Sequence, residues 1–91
     1  MVLGKVIGSV WSTRKDEKLI GSKFLIVKQL DLQNKLKENF VVAVDSVGAG
    51  VGEVVLYATG SSARQTNVTK DKPVDAVIMA IVDKLDISVK E

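Results

Sequence analysis

The sequence predicts a mainly β protein, a small closed or nearly closed barrel of about five short strands. Hydrophobic residues make up 46% of the 91-residue chain and aromatic residues only 4%. Val, Ile, Leu and Ala must therefore fill the interior, and the β-branched members of this set favour sheet. Several short segments also alternate their apolar side chains, and glycine-rich turns separate these segments as the corners of a small barrel require.

Two strands are predicted in the first third of the chain. Residues 2–11 alternate apolar side chains, and Gly4 and Gly8 permit a bend or a close approach of another backbone. Residues 12–22 are polar and charged and end at a Gly-Ser pair, which indicates an exposed loop. Residues 23–30 alternate again and are predicted as the second strand.

The middle of the chain predicts two further strands on either side of a glycine turn. Residues 31–39 form a mostly polar connection, and residues 40–44 are a short strand that is apolar on both faces. Residues 53–58 are the fourth strand, which the turn at residues 48–52 would join to the third as a hairpin or a bulged corner. Residues 64–68 are expected to form a short extended piece.

The C-terminal third predicts one short helix followed by the last strand. Pro73 suits the first position of a helix and Asp75 suits its first turn, so residues 73–76 are predicted as a helical turn. The apolar spacing after this point also fits a helical stripe. Its β-branched side chains favour a strand over residues 77–84 instead.

Length and composition exclude several classes of function. One domain, residues 1–91, is expected, and a core of this size buries barely enough surface to stabilise a lone chain, so self-association is expected too. The absence of Cys and His excludes thiolate nucleophiles, imidazole bases and the usual zinc ligand sets. No apolar run approaches the roughly 20 residues of a membrane span. The sequence predicts a cytoplasmic protein with no membrane partner.

Nucleic acid is not an expected partner. The net charge is only +2, and the 13 basic and 11 acidic residues are interspersed, so no broad cationic surface forms. An oligonucleotide-binding barrel usually interleaves more aromatic residues with its basic ones. Trp11 and Tyr57 are therefore expected to pack in the structure rather than to stack on bases.

The glycine-rich segments have a structural and a chemical interpretation. Residues 48–52 read Gly-x-Gly-x-Gly, but a strand pattern follows them, whereas phosphate-binding loops lead into a helix. Gly60–Arg64 could form a small anion nest. The alternative is a turn whose Arg64 pairs with a carboxylate of its own or of a neighbouring chain. A structural role is favoured for both segments.

Four carboxylates stand in apolar context and are the candidates for acid–base chemistry or magnesium binding. They are Asp45, Glu53, Asp75 and Asp83. Carboxylates beside turns more often cap backbone N–H groups, so no catalytic residue, metal site or cofactor is predicted. An enzyme based on these carboxylates and an OB-like module that binds nucleic acid or a small anionic ligand stay as the alternatives.

Five segments, taken in order and spacing, resemble one known family. They are Gly-Lys-Val-Ile-Gly at 4–8, Leu-Ile-Gly at 19–21, the stretch from Val44 to Glu53, Gly-Ser-Ser-Ala-Arg at 60–64 and Lys-Pro-Val-Asp-Ala at 72–76. Over nearly its whole length the chain resembles the EutN/CcmL family of pentamer-forming vertex proteins of bacterial microcompartment shells. The connection at residues 31–39 departs from the family pattern.

The resemblance implies a five-stranded barrel of OB-like topology that assembles as a homopentamer. Such rings cap the vertices of a polyhedral shell in the bacterial cytoplasm, and their partners are the hexagonal shell proteins of the facets. A flat hexagonal sheet cannot close without pentagonal insertions, so the implied role is structural, without catalysis or a cofactor.

Two sets of residues are expected at contacts on this interpretation. Those expected at the subunit interface or the pore are Gly48, Ala49, Gly50, Gly52, Gly60, Ser61, Ser62 and Arg64. Those expected to contact facet proteins are Ser12, Thr13, Arg14 and Lys15.

Overall fold

Five strands and two short 3-10 helices form the framework of the part of the chain that the structure describes. The computed structural model describes residues 1–13 and 15–89. The strands are β1 (Val2–Val10), β2 (Phe24–Leu30), β3 (Leu36–Asp45), β4 (Val54–Thr59) and β5 (Ala76–Ile81). The 3-10 helices are Glu17–Leu19, between β1 and β2, and Gly60–Arg64, between β4 and β5. Within the described residues, no helix is long and apolar enough to span a bilayer.

The strands close into a barrel in the order β1-β2-β3-β5-β4, with β4 returning to pair with β1. Every strand therefore has two hydrogen-bonded neighbours. All pairings are antiparallel except that between β3 and β5, which is parallel. The predicted closed barrel of five strands and the OB-like topology are confirmed.

The prediction that the glycine turn forms a hairpin is wrong. β3 and β4 are consecutive in the chain, but β5 lies between them in the barrel. The turn therefore carries the chain across one end of the barrel. The predicted polar connection at residues 31–39 is also too long, because β3 begins at Leu36 and pairs there with Leu30.

The predicted helical turn at residues 73–76 is absent from this part of the described chain. A tight bend occupies the segment, in which the Val74 N–H donates to the Lys72 carbonyl at 2.8 Å. The Asp75 carbonyl accepts from the Gly60 N–H at 2.8 Å, and Ala76 already pairs with Thr59 in the sheet. The backbone groups that would form the hydrogen bonds of a helix are thus already paired in the sheet and in the bend before it.

Two smaller differences also follow from the sheet and the turns. The predicted strand at residues 77–84 begins at Ala76 and ends at Ile81. The predicted extended piece at residues 64–68 is wrong. Its first residue ends a 3-10 helix, and the following turn is closed by the Thr66 and Thr69 hydroxyl oxygens, 2.6 Å apart.

The core consists of two adjoining apolar clusters. The first fills the barrel with side chains that include Val6, Val27 and Ile78. The second lies beneath the Gly60–Arg64 helix and includes Ala63 and Val77. Full burial of one such aliphatic side chain stabilises the fold by about 1.5–3 kcal/mol, so these clusters dominate its stability.

Gly4 explains how the barrel closes so tightly at β1. A Cβ atom at this position would lie 2.6 Å from Val27 Cγ1 and 2.7 Å from Tyr57 Cε1. The predicted close approach at Gly4 is confirmed. Tyr57 is 4% exposed, as predicted for a packing residue, and burial raises the pKa of its hydroxyl. The same prediction is wrong for Trp11, which is 91% exposed.

Candidate assembly surface

The glycine turn between β3 and β4 is organised by the carboxylate of Asp45. Its Oδ1 atom accepts hydrogen bonds from three successive backbone N–H groups, those of Val47 (3.0 Å), Gly48 (3.1 Å) and Ala49 (3.2 Å). Hydrogen bonds to an ionised carboxylate are stronger than neutral ones. The side chain of Asp45 is only 4% exposed, so little water competes for these contacts.

A second carboxylate holds the other end of the turn. Glu53 Oε1 accepts from the Gly50 N–H at 2.6 Å. Two backbone hydrogen bonds then attach this end to β1: the Gly52 N–H donates to the Val6 carbonyl at 2.8 Å, and the Val6 N–H donates to the Glu53 carbonyl at 3.0 Å. The interpretation of Asp45 and Glu53 as capping residues is confirmed.

A lysine from the adjacent loop completes the network. Lys23 Nζ donates to the Ala49 carbonyl at 3.0 Å and lies 3.9 Å from Asp45 Oδ2. Ala49 is buried, whereas Gly48 and Gly52 are exposed, with φ values of +77° and +93°. A Cβ atom added at either glycine would have open space around it. The turn therefore exposes backbone at its two glycines, beside the exposed side chains of Val47 and Val51.

The Gly60–Arg64 segment at the far end of β4 is held differently. Ala63 is fully buried and anchors the short helix on the second core cluster. Arg64 Nη1 donates to the Val74 carbonyl at 3.1 Å, so this guanidinium binds a carbonyl of its own chain. The predicted pairing of Arg64 with a carboxylate is not found among the described residues. Ser61 and Ser62 are exposed at the surface.

The structure does not bring the two predicted interface segments together. The glycine turn precedes β4 and Gly60–Arg64 follows it. Six extended residues span about 20 Å, so the two segments lie at opposite ends of one strand.

The glycine turn does meet the loop that was predicted to contact facet proteins. A groove of about 390 Å³ lies between them and is lined by apolar side chains, three serines and two lysines. Its lining includes Val10, Trp11, Lys15, Phe24 and Val51. The Trp11 indole N–H donates to Ser9 Oγ at 3.1 Å, and Lys15 Nζ lies 5.7 Å from the centroid of the Phe24 ring.

Three of the four predicted facet-contact residues can be placed beside this groove. Ser12 and Lys15 line it, and Thr13 is exposed between them. Arg14 lies outside the described residues. In the groove wall, Ser22 Oγ is buried and has no hydrogen-bond partner within the described part of the chain.

An apolar outer wall on β1, β2 and β3 was missed by the sequence prediction. Phe40 is 60% exposed, Val42 42% and Ile7 40%. Ile26 lies beside Val42 in the β2–β3 register and continues the surface. The sequence did contain a signal for this surface. The third predicted strand is apolar on both faces, and only one face of a barrel strand can point inward.

The strand order and this surface define a class of protein: a small OB-like barrel with an unpaired apolar wall and rigid turns suited to contact between subunits. Residues 1–83 match the family described as "Ethanolamine utilisation protein EutN/carboxysome". The chain belongs to the EutN/CcmL family, as the resemblance implied.

Relatives in this family match the chain over nearly its full length. The carboxysome shell vertex protein CcmL of Synechocystis sp. is 43% identical over 97% of this chain and 88% of its own length. The bacterial microcompartment shell vertex protein GrpN of Rhodospirillum rubrum is 45% identical over 94% of this chain and 97% of its own.

Solved structures of relatives share the fold. The structure of CcmL from Nostoc sp. superposes with a TM-score of 0.93 at 43% identity, covering 97% of this chain and 93% of that one. The GrpN pentameric microcompartment shell protein from Rhodospirillum rubrum gives a TM-score of 0.87 at 45% identity, covering 96% and 99%.

Proposed function

We propose that this protein is a vertex subunit of a bacterial microcompartment shell and that five copies form a ring. The observation that carries the proposal is the match, over nearly the whole length of both chains, to proteins named as shell vertex proteins. A related structure is described as pentameric. A ring of five supplies the pentagonal insertion that a hexagonal shell needs in order to close.

The apolar outer wall supports the ring. A small barrel gains little from exposing Phe40 and Val42 to water, and a neighbouring subunit would remove both from solvent. The capped glycine turn and the Gly60–Arg64 segment offer small residues where two backbones can approach closely. The residues proposed for the subunit interface or the pore are Gly48, Ala49, Gly50, Gly52, Gly60, Ser61, Ser62 and Arg64.

The loop after β1 is the proposed contact with the hexagonal shell proteins of the facets. Trp11 is exposed at the edge of the groove, and Ser22 Oγ in the groove wall would gain a partner if a polar group entered. Exposed tryptophan beside an apolar groove is typical of protein interfaces. The proposed facet-contact residues are Ser12, Thr13, Arg14 and Lys15.

The proposed role is structural, without catalysis or a cofactor, for a single domain located in a shell within the cytoplasm. Asp45 and Glu53, two of the four candidate carboxylates, are already committed to backbone N–H groups of the turn. That use supports a carboxylate role in shaping the turn rather than in acid–base chemistry.

The oligomer mass in solution tests the proposal. Native mass measurement of the full chain is expected to give about five times the 9.8 kDa mass of one subunit. Co-expression with hexagonal shell proteins should then produce closed polyhedra, and omission of this chain should leave open or elongated shells under electron microscopy. A monomer at all accessible concentrations, or closed shells without this chain, would contradict the proposal.

A further inference from the structure

The apolar outer wall carries two lysines that oppose each other across neighbouring strands. Lys5 on β1 is the register partner of Lys28 on β2, and Lys28 is the register partner of Phe40 on β3. We define the wall patch as the residues that share this outer surface. They are Lys5, Ile7, Ile26, Lys28, Phe40 and Val42.

The two lysines of the wall patch have no ion-pair partner among the described residues of the subunit. Like charges directly opposite each other on a sheet are destabilising. Neither Lys5 nor Lys28 forms an ion pair with any described residue, since the ion pairs there join Lys23 to Asp45 and Lys84 to Asp86. The patch therefore suits a partner segment that combines apolar side chains with a carboxylate.

The C-terminal segment of the same chain has this chemistry. After Val82, whose N–H donates to the Val54 carbonyl at 2.8 Å, residues 83–89 form neither strand nor helix. Leu85 is 45% exposed, Ile87 41% and Val89 77%. These apolar residues recur at every second position, a pattern typical of a half-buried strand, although their own barrel leaves them open to solvent.

The charges of the segment divide between its two faces. In an extended chain Asp83 lies on the same face as Leu85 and Ile87, because successive side chains point to opposite sides. Lys84 and Asp86 lie on the other face and form their own ion pair at 3.5 Å. One face thus presents a single carboxylate followed by apolar side chains.

We propose that residues 83–89 of one subunit dock on the wall patch of the adjacent subunit in the ring. Leu85 and Ile87 cover Phe40 and Val42, and Asp83 pairs with the lysines beside them. The inference rests on the proposed homopentamer and adds the segment that joins one subunit to the next.

Topology explains why the acceptor is a second copy. β2, the centre of the wall patch, is a neighbour of neither β4 nor β5, whereas β3 at its edge pairs with β5 in parallel. Because Asp45, the last residue of β3, is opposite Ile78, the chain after Ile81 runs beyond the end of β3. It therefore leads away from Phe40 and Val42 of its own subunit. Seven extended residues reach about 23 Å, which matches the smaller dimensions of the molecule, 23 and 20 Å. A contact between two different surfaces is the kind that closes a ring.

Cross-linking can test the contact directly because the chain has no native cysteine. We expect the double variant Val42→Cys with Ile87→Cys, treated with a short bismaleimide, to give a denaturing-gel ladder that extends to five subunits. Every subunit both gives and receives a link in the proposed ring. The matched control combines Ile87→Cys with Asn67→Cys, an exposed residue outside the wall patch, and should give no ladder.

The outcomes separate this inference from the proposed function. A pentamer by native mass without the ladder overturns the docking and leaves the vertex proposal intact. A link found within a single chain also overturns the docking, because the segment would then cover its own barrel. A monomer by native mass contradicts both.

A charge exchange gives a second, independent readout. Asp83→Lys should raise the dissociation constant of the ring at least about fivefold at low salt, since an attractive pair becomes repulsive. Adding Lys28→Glu to that variant should recover most of the loss. An Asp83→Lys ring as stable as the native one, or a double variant weaker than the single, would overturn the assigned pairing.

Discussion

The glycine turn at residues 45–53 and the Gly60–Arg64 segment flank the same strand, β4, but different chemistry holds each of them. Two carboxylates accept four backbone N–H groups in the first. The second rests on one buried methyl group, that of Ala63, and on hydrogen bonds to main-chain carbonyls. Similar small residues therefore build one turn whose shape depends on charge and another whose shape depends on packing.

Removal of the Asp45 carboxylate should give the largest difference between the two regions. Asp45→Ala leaves three N–H groups without their acceptor and is expected to lower the free energy of unfolding by about 2–4 kcal/mol. Arg64→Ala, at the exposed end of the other segment, should cost less than about 1 kcal/mol. Urea unfolding followed by circular dichroism at one protein concentration measures both.

Asp45→Asn is the matched control for the charge. The amide keeps the shape and one acceptor oxygen, so Asp45→Asn should lower the free energy of unfolding by less than Asp45→Ala does. Equal costs for Asp45→Ala and Arg64→Ala would show that the turn does not depend on its carboxylate.

The next largest loss of stability is expected from a change in backbone geometry at Gly52. Gly52 has a φ of +93°, a conformation that costs a residue with a Cβ atom about 1–2 kcal/mol. Gly52→Ala is therefore expected to lower the free energy of unfolding by about that amount. Gly50→Ala is the control, because Gly50 has no positive φ and its added Cβ would lie 3.4 Å from Glu53 Oε1. A larger loss at position 50 than at position 52 would contradict this order.

A smaller effect is expected just beyond the second segment. The buried Thr69 hydroxyl lies 2.6 Å from that of Thr66 and accepts from the Thr66 N–H at 3.4 Å. Thr69→Val should cost about 1 kcal/mol, as for one buried hydrogen bond. Thr69→Ser, which keeps the hydroxyl, is the control. If it costs more than Thr69→Val, packing of the methyl group, and not the hydrogen bond, stabilises the turn.

The smallest expected effect on stability comes from Tyr57, which lies in β4 itself and not in either of the two turns that flank this strand. Burial raises the pKa of Tyr57 above its usual value of about 10. The unfolded chain then loses this proton at a lower pH than the folded chain, so the contribution to stability is complete below pH 10 and declines as the pH rises further. Tyr57→Phe should reduce this decline when unfolding is compared at pH 9 and pH 11. An identical decline in the variant would contradict the assignment.

The strands were predictable where a local pattern determined them. β1, β2 and β4 lie within a residue or so of their predicted ends, because each alternates its side chains between two turn signals. The start of β3 was missed because residues 36–40 are all exposed, so no inward-facing apolar side chain marks them. The parallel partner of β3 comes from more than 30 residues away, and no local pattern encodes such a pairing.

The site shows the same division between local and distant signals. The capping role of Asp45 followed from its place beside a glycine turn, since such contacts join residues two to four positions apart. The wall patch depends on three strands lying side by side, and Trp11 is exposed because its strand ends at Val10. At Pro73 the local signal was misleading. The proline predicted the start of a helix, but Ala76 pairs with Thr59 in the sheet, so no helix forms there.

The pairing of β1 with β4 has a consequence for how the protein is made. Val2 pairs with Tyr57, and Lys5 pairs with Val54. During synthesis the N-terminal strand can pair with β2 early, but its other edge stays open until the ribosome has released more than half of the chain. Pairings this distant slow folding, and an open edge invites pairing with other nascent chains. Slow translation or low temperature should therefore matter more for the yield of this small barrel than for a helical protein of equal length.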